Sequence, residues 1–390
     1  MYLTREEEEI FNGECGWANE TCMKILARLG DLYGAKKLIP ISSAHVSGVS
    51  YKTLGDAPID FLRALADAGA KVKVRTTLNP QSLDPEHLTK RLPKILAQKQ
   101  VTILKQFERM GTAKSLTCTP YYLERTRRES HVAWAESSAV VYANSVLGAW
   151  TNREGGPSAL AAAIMGKTPD HGMHKTENRH PNLLVNVETP LQNETEFGAL
   201  GIHLGKMLGE SIPIIQGLGK PSREKLKQLC AALATTGMTN MFYCGTGSET
   251  GGIEKIDVEA KDLKRTVKEL STRSCEKCDL VFLGCPHCSL AEMKQIAQAV
   301  KGKKVKRGTE FWVCTSSHIK ETARDYVKEI ERSGGQVLAG VCTVVSWTEQ
   351  LGIETIMTNS AKTAYYAPTL SKAETILSPM KDCLRTAFQG

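Results

Sequence analysis

The chain has 390 residues, of which 41% are hydrophobic, 24% charged and only 6% aromatic, with a formal net charge of +8. At roughly 150 residues per domain this length provides for two or three compact domains, and the ordinary glycine and proline content excludes collagen-like and low-complexity chains. No apolar run approaches the ~18–20 residues of a membrane span, and the acidic start MYLTREEEEI is no secretory signal, so a soluble, cytoplasmic globular protein is expected.

The first predicted element is a helix: Thr4 and Glu7 have the spacing of a capping box, and Glu6 to Glu9 lie where the helix dipole favours negative charge. Leu38–Ile41 then reads as a strand, followed by a loop through 42–56 and a helix from near Pro58. Val72–Arg75 reads as a second strand, ending in the loop TTLNPQS. Ala135-Glu136-Ser137-Ser138 opens an apolar helix running towards Leu147, with Ser137 or Ser138 as its cap. Gly155-Gly156-Pro157-Ser158 starts another, with proline near its first position. The stretch 152–182 is loop-rich at both ends and marks a domain boundary; a second break falls near Ser271–Lys277. Strands at Leu183–Val187, Ile212–Gln216 and Met241–Cys244 alternate with helices near 195–208 and 221–235. Leu280–Leu283, Phe311–Cys314 and Val337–Ala339 continue the series. Short strands alternating with longer helical segments indicate parallel α/β units, which place their chemistry in loops at the carboxyl ends of strands.

Twelve cysteines are many for such a chain. Disulfide scaffolds are short secreted chains, so free thiols in a reducing compartment are expected, most of them small buried hydrophobes. Cys118, Cys244, Cys285, Cys314 and Cys342 stand out by position, Cys244, Cys285 and Cys314 because they end apolar runs. A thiolate there can be a nucleophile, a metal ligand or inert. Cys275, Cys278, Cys285 and Cys288 form a C-x2-C-x6-C-x2-C pattern like a zinc knuckle. The intervening DLVFLG reads as a buried strand, which would separate the two pairs by roughly 23 Å at ~3.3 Å per residue. One tetrahedral zinc cannot bridge that gap. Cys285 remains the functional candidate of the four, with Cys275 and Cys278 incidental.

The loop Gly48-Val49-Ser50 follows a strand and precedes a helix, and its backbone N–H groups with the Ser50 hydroxyl suit a carboxylate or phosphate. It lacks the GK[ST] of a P-loop. Asn79-Pro80 would face the same crevice. Both loops read equally well as ordinary turns. Glu136, beside His131 and Trp134, is a candidate for acid–base work, and Asn144 must meet a ligand or reach solvent. His171, His174 and His180 lack metal-ligand spacing and are assigned to loops or hydrogen bonding. Lys362 is an anion-binding candidate whose default is solvation. Basic residues are dispersed, and the densest run, Lys301–Arg307, has no interleaved aromatics. An anionic substrate or an acidic partner fits the charge as well as nucleic acid does, and charge alone does not decide; taken with the rest of the sequence, neither a nucleic-acid nor a membrane partner is expected.

Together, GVS at 48–50, NP at 79–80, CTPYY at 118–122, AESSAVVYANSVLGA at 135–149, REGGPSAL at 153–160, GCPH at 284–287 and the C-terminal TNSAKTAYY resemble the large, catalytic subunit of the aconitase X family over essentially the whole chain. The resemblance implies an aconitase-like α/β fold: three α/β/α domains, with mainly parallel sheets, around a central cleft holding an iron–sulfur cluster. We expect the domains at 1–175, 176–270 and 271–390. It further implies a [4Fe–4S] cluster, also recoverable as [3Fe–4S] or lost, held by Cys118, Cys285 and Cys342. Cys314 is a lower-ranked competitor, its VCTSS context not matching the ligand motifs. Gly48, Val49, Ser50, Asn79, Pro80, Glu136, Ser137 and Lys362 correspond to substrate-contacting positions. The catalytic base is expected on a separate small, swivelling subunit, giving a heterodimer.

Within the family, the similarity is greatest to the archaeal branch that dehydrates (R)-5-phosphomevalonate to trans-anhydromevalonate 5-phosphate in a mevalonate route to isoprenoids. The open alternatives are a dehydratase of cis-3-hydroxy-L-proline or another small hydroxy acid and, outside enzymes, an iron–sulfur or zinc-binding regulatory protein.

Overall fold

The structure, a computed structural model, describes residues 1–123, 125–245, 253–273 and 278–389. It divides into two units: Met1–Pro80 with Lys94–His180, and Gln81–Pro93 with Pro181–Gly390. Among the described residues no helix is long and apolar enough to cross a membrane.

The first unit is built on a three-stranded parallel sheet in the order Arg75–Leu78, Ser43–Val46, Ala133–Trp134. The central strand is buried along its whole length, and Trp17–Leu32, Ala57–Asp67, Lys94–Arg109 and Gly156–Met165 supply the helical layers that share its apolar core. The last of these helices is rich in alanine and buried from Ser158 to Met165, so its backbone can approach the sheet closely. At its start a Cβ on Gly156 would lie 2.7 Å from the Ser47 carbonyl oxygen, which requires glycine there. The opening helix, Arg5–Phe11, has the expected box: Thr4 Oγ1 accepts from the Glu7 amide and the Glu7 carboxylate from the Thr4 amide.

Three expectations shift in this unit. The segment read as a loop through 42–56 contains the central strand. The second strand runs over Arg75–Leu78 instead of 72–75, because the β-branched Thr76 and Thr77 with Leu78 form the buried run while Lys73 and Val74 stay partly exposed. Leu38–Pro40 lies outside the parallel sheet and pairs antiparallel with Lys167–Pro169.

The second unit carries two parallel sheets. One has the order Tyr243–Cys244, Pro213–Gln216, Leu183–Val187, Glu254–Val258; the other Gln336–Ala339, Glu310–Thr315, Leu280–Leu283, Thr355–Thr358, Glu374–Leu377. Leu280–Leu283, all four residues buried, is the centre of the five-stranded sheet. That placement bears out the strand reading used against a zinc knuckle: Cys278 precedes the strand and Cys285 and Cys288 follow it. Cys275 lies outside the described residues. Cys314 sits within Glu310–Thr315 and is 0% exposed, so it does not end its strand as expected.

Candidate active site

The parallel order of the first sheet brings four candidate segments to one edge. Gly48–Ser50 follows the Ser43–Val46 strand, Asn79-Pro80 follows Arg75–Leu78, and Glu136-Ser137 follows Ala133–Trp134. Cys118 joins them through a parallel bridge between Leu78 and Leu116, with the Thr117 amide donating to the Leu78 carbonyl at 2.8 Å. Carboxyl ends of parallel strands are where α/β units place functional groups.

Each segment is pinned. Gly48 adopts φ +78°, and the buried Gln100 side chain donates to the Val49 carbonyl at 2.9 Å and accepts from the Tyr51 amide at 3.1 Å. The Asn79 amide extends the ladder by donating to the Val46 carbonyl at 2.9 Å. Glu136, 8% exposed, is the N-cap of Ser137–Tyr142, its carboxylate accepting from the Ser138 amide and hydroxyl at 3.4 and 2.7 Å. The expected serine cap is therefore replaced by Glu136. Nor is Glu136 paired with His131 or Trp134: it accepts from Asn79 Nδ2 at 2.9 Å, while His131 Nδ1 meets His174 Nδ1 at 2.9 Å and the Trp134 indole N–H donates to Ser43 Oγ.

The residue that sequence reasoning missed is His45. It is fully buried within the Ser43–Val46 strand, with Nδ1 2.7 Å from Thr77 Oγ1 and Nε2 2.7 Å from Asn79 Oδ1. Burial pushes its pKa down to about 4, against the opposing pull of the Asn79 hydrogen bond and the Glu136 charge. Asn144 belongs elsewhere. It does not reach solvent; it is 1% exposed in a π-helical turn, where it bonds Thr151 and the Arg179 guanidinium.

The second unit assembles its own set. Cys285 follows the central strand through Gly284, whose φ is +108° and where a Cβ would lie 2.2 Å from the Cys314 carbonyl oxygen, leaving glycine as the residue that fits. Gln228 Nε2 donates to the Cys285 carbonyl at 3.1 Å, and buried Lys227 donates to the His287 carbonyl at 3.0 Å. His287 Nε2 in turn donates to the Val341 carbonyl at 2.8 Å, joining the Cys285 loop to the segment that carries Cys342. Loss of hydration pushes the Cys342 thiol up to about 12; nearby Cys285 adds to the rise and Lys362 opposes it. Lys362 lies in the first turn of Ala361–Leu370, half-buried instead of freely solvated. Burial also holds the Cys314 thiol far up, and its Sγ is 3.8 Å from Thr343 Oγ1.

These donors suit a soft, positively charged group. The Cys342 thiol, pushed up by burial, becomes a thiolate only with compensating positive charge nearby, of the kind a bound metal carries. Among the described residues the one set of three His, Cys, Asp or Glu side chains whose ligand atoms lie within 4.8 Å of one another is Asp84, Glu86 and His87. Asp84 already accepts the Glu86, His87 and Ala339 amides and Glu86 pairs with Lys320, which is a structural role.

The chain matches the family models for the aconitase X first domain over residues 1–177, second domain over 181–268 and third domain over 278–389. It is 44% identical to the phosphomevalonate dehydratase large subunit of Methanocaldococcus jannaschii, covering 99% of this chain and 100% of that one. The cis-3-hydroxy-L-proline dehydratase of Pseudomonas aeruginosa is 31% identical and is covered over 69% of its length. A crystal structure of Thermococcus kodakaraensis aconitase X in its holo-form superposes with a TM-score of 0.92 at 41% identity, over 99% of this chain and 100% of that one. The α/β architecture, the strand-end placement of the candidate residues and these matches lead to one conclusion: the chain belongs to the aconitase X family.

Proposed function

We propose that this chain is the large subunit of a hydro-lyase that dehydrates (R)-5-phosphomevalonate to trans-anhydromevalonate 5-phosphate. The observation that carries this reading is the 44% identity, over 99% of the chain, to a relative named phosphomevalonate dehydratase large subunit, against 31% to a cis-3-hydroxy-L-proline dehydratase. The words "large subunit" in that name support a small-subunit partner, and a thiol-rich chain suits the reducing cytoplasm. We divide the chain into domains at 1–175, 176–270 and 271–390.

Cys118, Cys285 and Cys342 are assigned as the thiolates that hold a [4Fe–4S] cluster. When bound, such a cluster offers one iron without a protein ligand as a Lewis acid for the substrate's carboxylate and departing hydroxyl. Gly48–Ser50, Asn79-Pro80, Glu136 and Ser137 bind and orient the substrate, their positions fixed by Gln100 and by the sheet. Lys362 supplies a cation for an anionic substrate group. A proton leaves the carbon next to the carboxylate, taken by a base on the small subunit, and a carbon–carbon double bond forms as the C–OH bond breaks. The departing hydroxide takes up a proton and leaves as water.

The test is anaerobic reconstitution with the small subunit, followed by assay of both substrates and of bound iron. Phosphomevalonate should lose one water and hydroxyproline should be inert; turnover of hydroxyproline alone would overturn the substrate assignment. Cys118→Ser, Cys285→Ser and Cys342→Ser should each lower iron content and visible absorption, whereas Cys314→Ser should keep both. A colourless zinc-loaded protein would sink the cluster reading.

A further inference from the structure

We propose that His45 is a positioning residue that makes Asn79 present a hydrogen-bond donor, and not its carbonyl oxygen, to a bound anion. The proposal rests on the reading that Asn79 touches the substrate. It follows from the direction in which four hydrogen bonds must run.

The starting point is Glu136. An ionised carboxylate only accepts, so the 2.9 Å contact with Asn79 is made by the Asn79 NH2 group. Its other oxygen accepts from Ser138 Oγ at 2.7 Å, which fixes the carboxylate from the opposite side. With its NH2 group turned to Glu136, Asn79 faces His45 with Oδ1, 2.7 Å from Nε2. An oxygen facing a ring nitrogen at that distance requires the nitrogen to carry the hydrogen. His45 is therefore the Nε2–H tautomer, and its Nδ1 lone pair accepts the Thr77 hydroxyl proton at 2.7 Å. Thr77, His45, Asn79 and Glu136 thus form one chain in which every donor points towards the carboxylate.

The consequence lies at Asn79. Its carbonyl is committed to His45 and one of its amide hydrogens to Glu136. The second amide hydrogen is left to meet a ligand. Rotated by half a turn, the same side chain would offer oxygen to that ligand and repel a carboxylate or phosphate. Nothing in Asn79 itself forbids that rotation. Glu136 and the buried histidine do so together, because reversing the amide would set oxygen against oxygen at Glu136 and N–H against N–H at the Nε2–H tautomer of His45.

Three variants in the reconstituted two-subunit enzyme test this. His45→Leu removes the donor to Asn79 Oδ1, and His45→Gln keeps an N–H near the Nε2 position. Losing one hydrogen bond to a charged substrate should raise KM by about tenfold or more, with kcat moving by roughly threefold or less. His45→Gln should recover most of that loss, and iron content should stay at the parent level. A merely structural role would instead lower the active fraction, so that kcat falls and KM does not; that outcome overturns the proposal. Asn79→Ala separates the two layers. If it leaves KM unchanged, the reading that Asn79 touches substrate has failed. If it raises KM while His45→Leu does not, the positioning role alone has failed. Should His45→Leu not fold, ring-nitrogen NMR of the histidine-labelled parent decides, since a His45 ring protonated at Nδ1 excludes the proposed chain.

Discussion

Two histidines, His45 and His174, are held neutral inside the first unit, and each ties folding to pH. Burial pushes His45 down to about 4. His174, 3% exposed, is pushed to about 3 by burial first and then by the charges of His131, His171 and Arg179. In the unfolded chain both titrate near 6.5. Between the folded and unfolded values the unfolded state binds more protons, so stability rises with pH across that window. The contribution is fully present above pH 6.5 and is lost as pH falls towards 4 for His45 and towards 3 for His174. The slope is at most ~1.4 kcal/mol per pH unit for each histidine. Glu154 works in the opposite sense: burial raises its carboxyl above the usual range despite hydrogen bonds from Ser158 and Thr168, so its cost eases as pH falls. The expected outcome is a melting temperature that drops between pH 7 and pH 5, and a shallower drop in His174→Gln. Calorimetry showing equal slopes in parent and variant would refute the assignment of that loss to His174.

Elements differ in how plainly the sequence announced them, and the differences have physical causes. Leu280–Leu283 and Leu183–Val187 lie inside parallel sheets, where strands are covered on both faces and read as apolar runs. The Ser43–Val46 strand is equally buried but carries Ser43 and His45. Their polar atoms are satisfied by Trp134, Thr77 and Asn79, partners 30 or more residues away that no local pattern displays. Asn144 is likewise satisfied from beyond its helix, by Thr151 nearby in the chain and by the distant Arg179. The candidate site was thus legible in its strand-end loops and its cysteines, while the buried groups that orient them were not. His287 was visible only as the fourth letter of GCPH, with no hint of its bond to Val341. Close helix packing is a further feature hidden from periodicity. Glu194–Leu208 meets Arg223–Thr236 through Gly201, where a Cβ would lie 2.7 Å from the Leu229 carbonyl oxygen and 2.6 Å from the Ala232 Cβ. Backbone cannot yield as a flexible side chain does. Gly201→Ala should therefore destabilise by about 1–3 kcal/mol despite its gain in helix propensity. Urea unfolding reads this directly, and a variant as stable as the parent would show that the two helices can separate without cost.

At the scale of the whole molecule, charge is the property with a kinetic consequence. The chain carries 50 Lys and Arg against 42 Asp and Glu, a formal net charge of +8. Its basic residues are spread out, so the field acts on the approach of an anion more than on any single contact. A phosphorylated carboxylate carries negative charge at both ends, and a net positive protein raises the rate at which such a ligand encounters it. Salt shortens the reach of that field, from a Debye length of about 14 Å near 50 mM to about 4 Å near 500 mM. Short, partly desolvated contacts of the kind proposed at Lys362 and Asn79 would be screened far less. In the reconstituted two-subunit enzyme, kcat/KM for phosphomevalonate should therefore fall several-fold across that salt range, while kcat, which starts from the bound complex, should stay nearly constant. A fall in kcat of the same size would place the salt effect on the subunit interface or the chemical step. A kcat/KM indifferent to salt would mean that the positive excess faces away from the path of the substrate, leaving Lys362 and the strand-end loops to attract it alone.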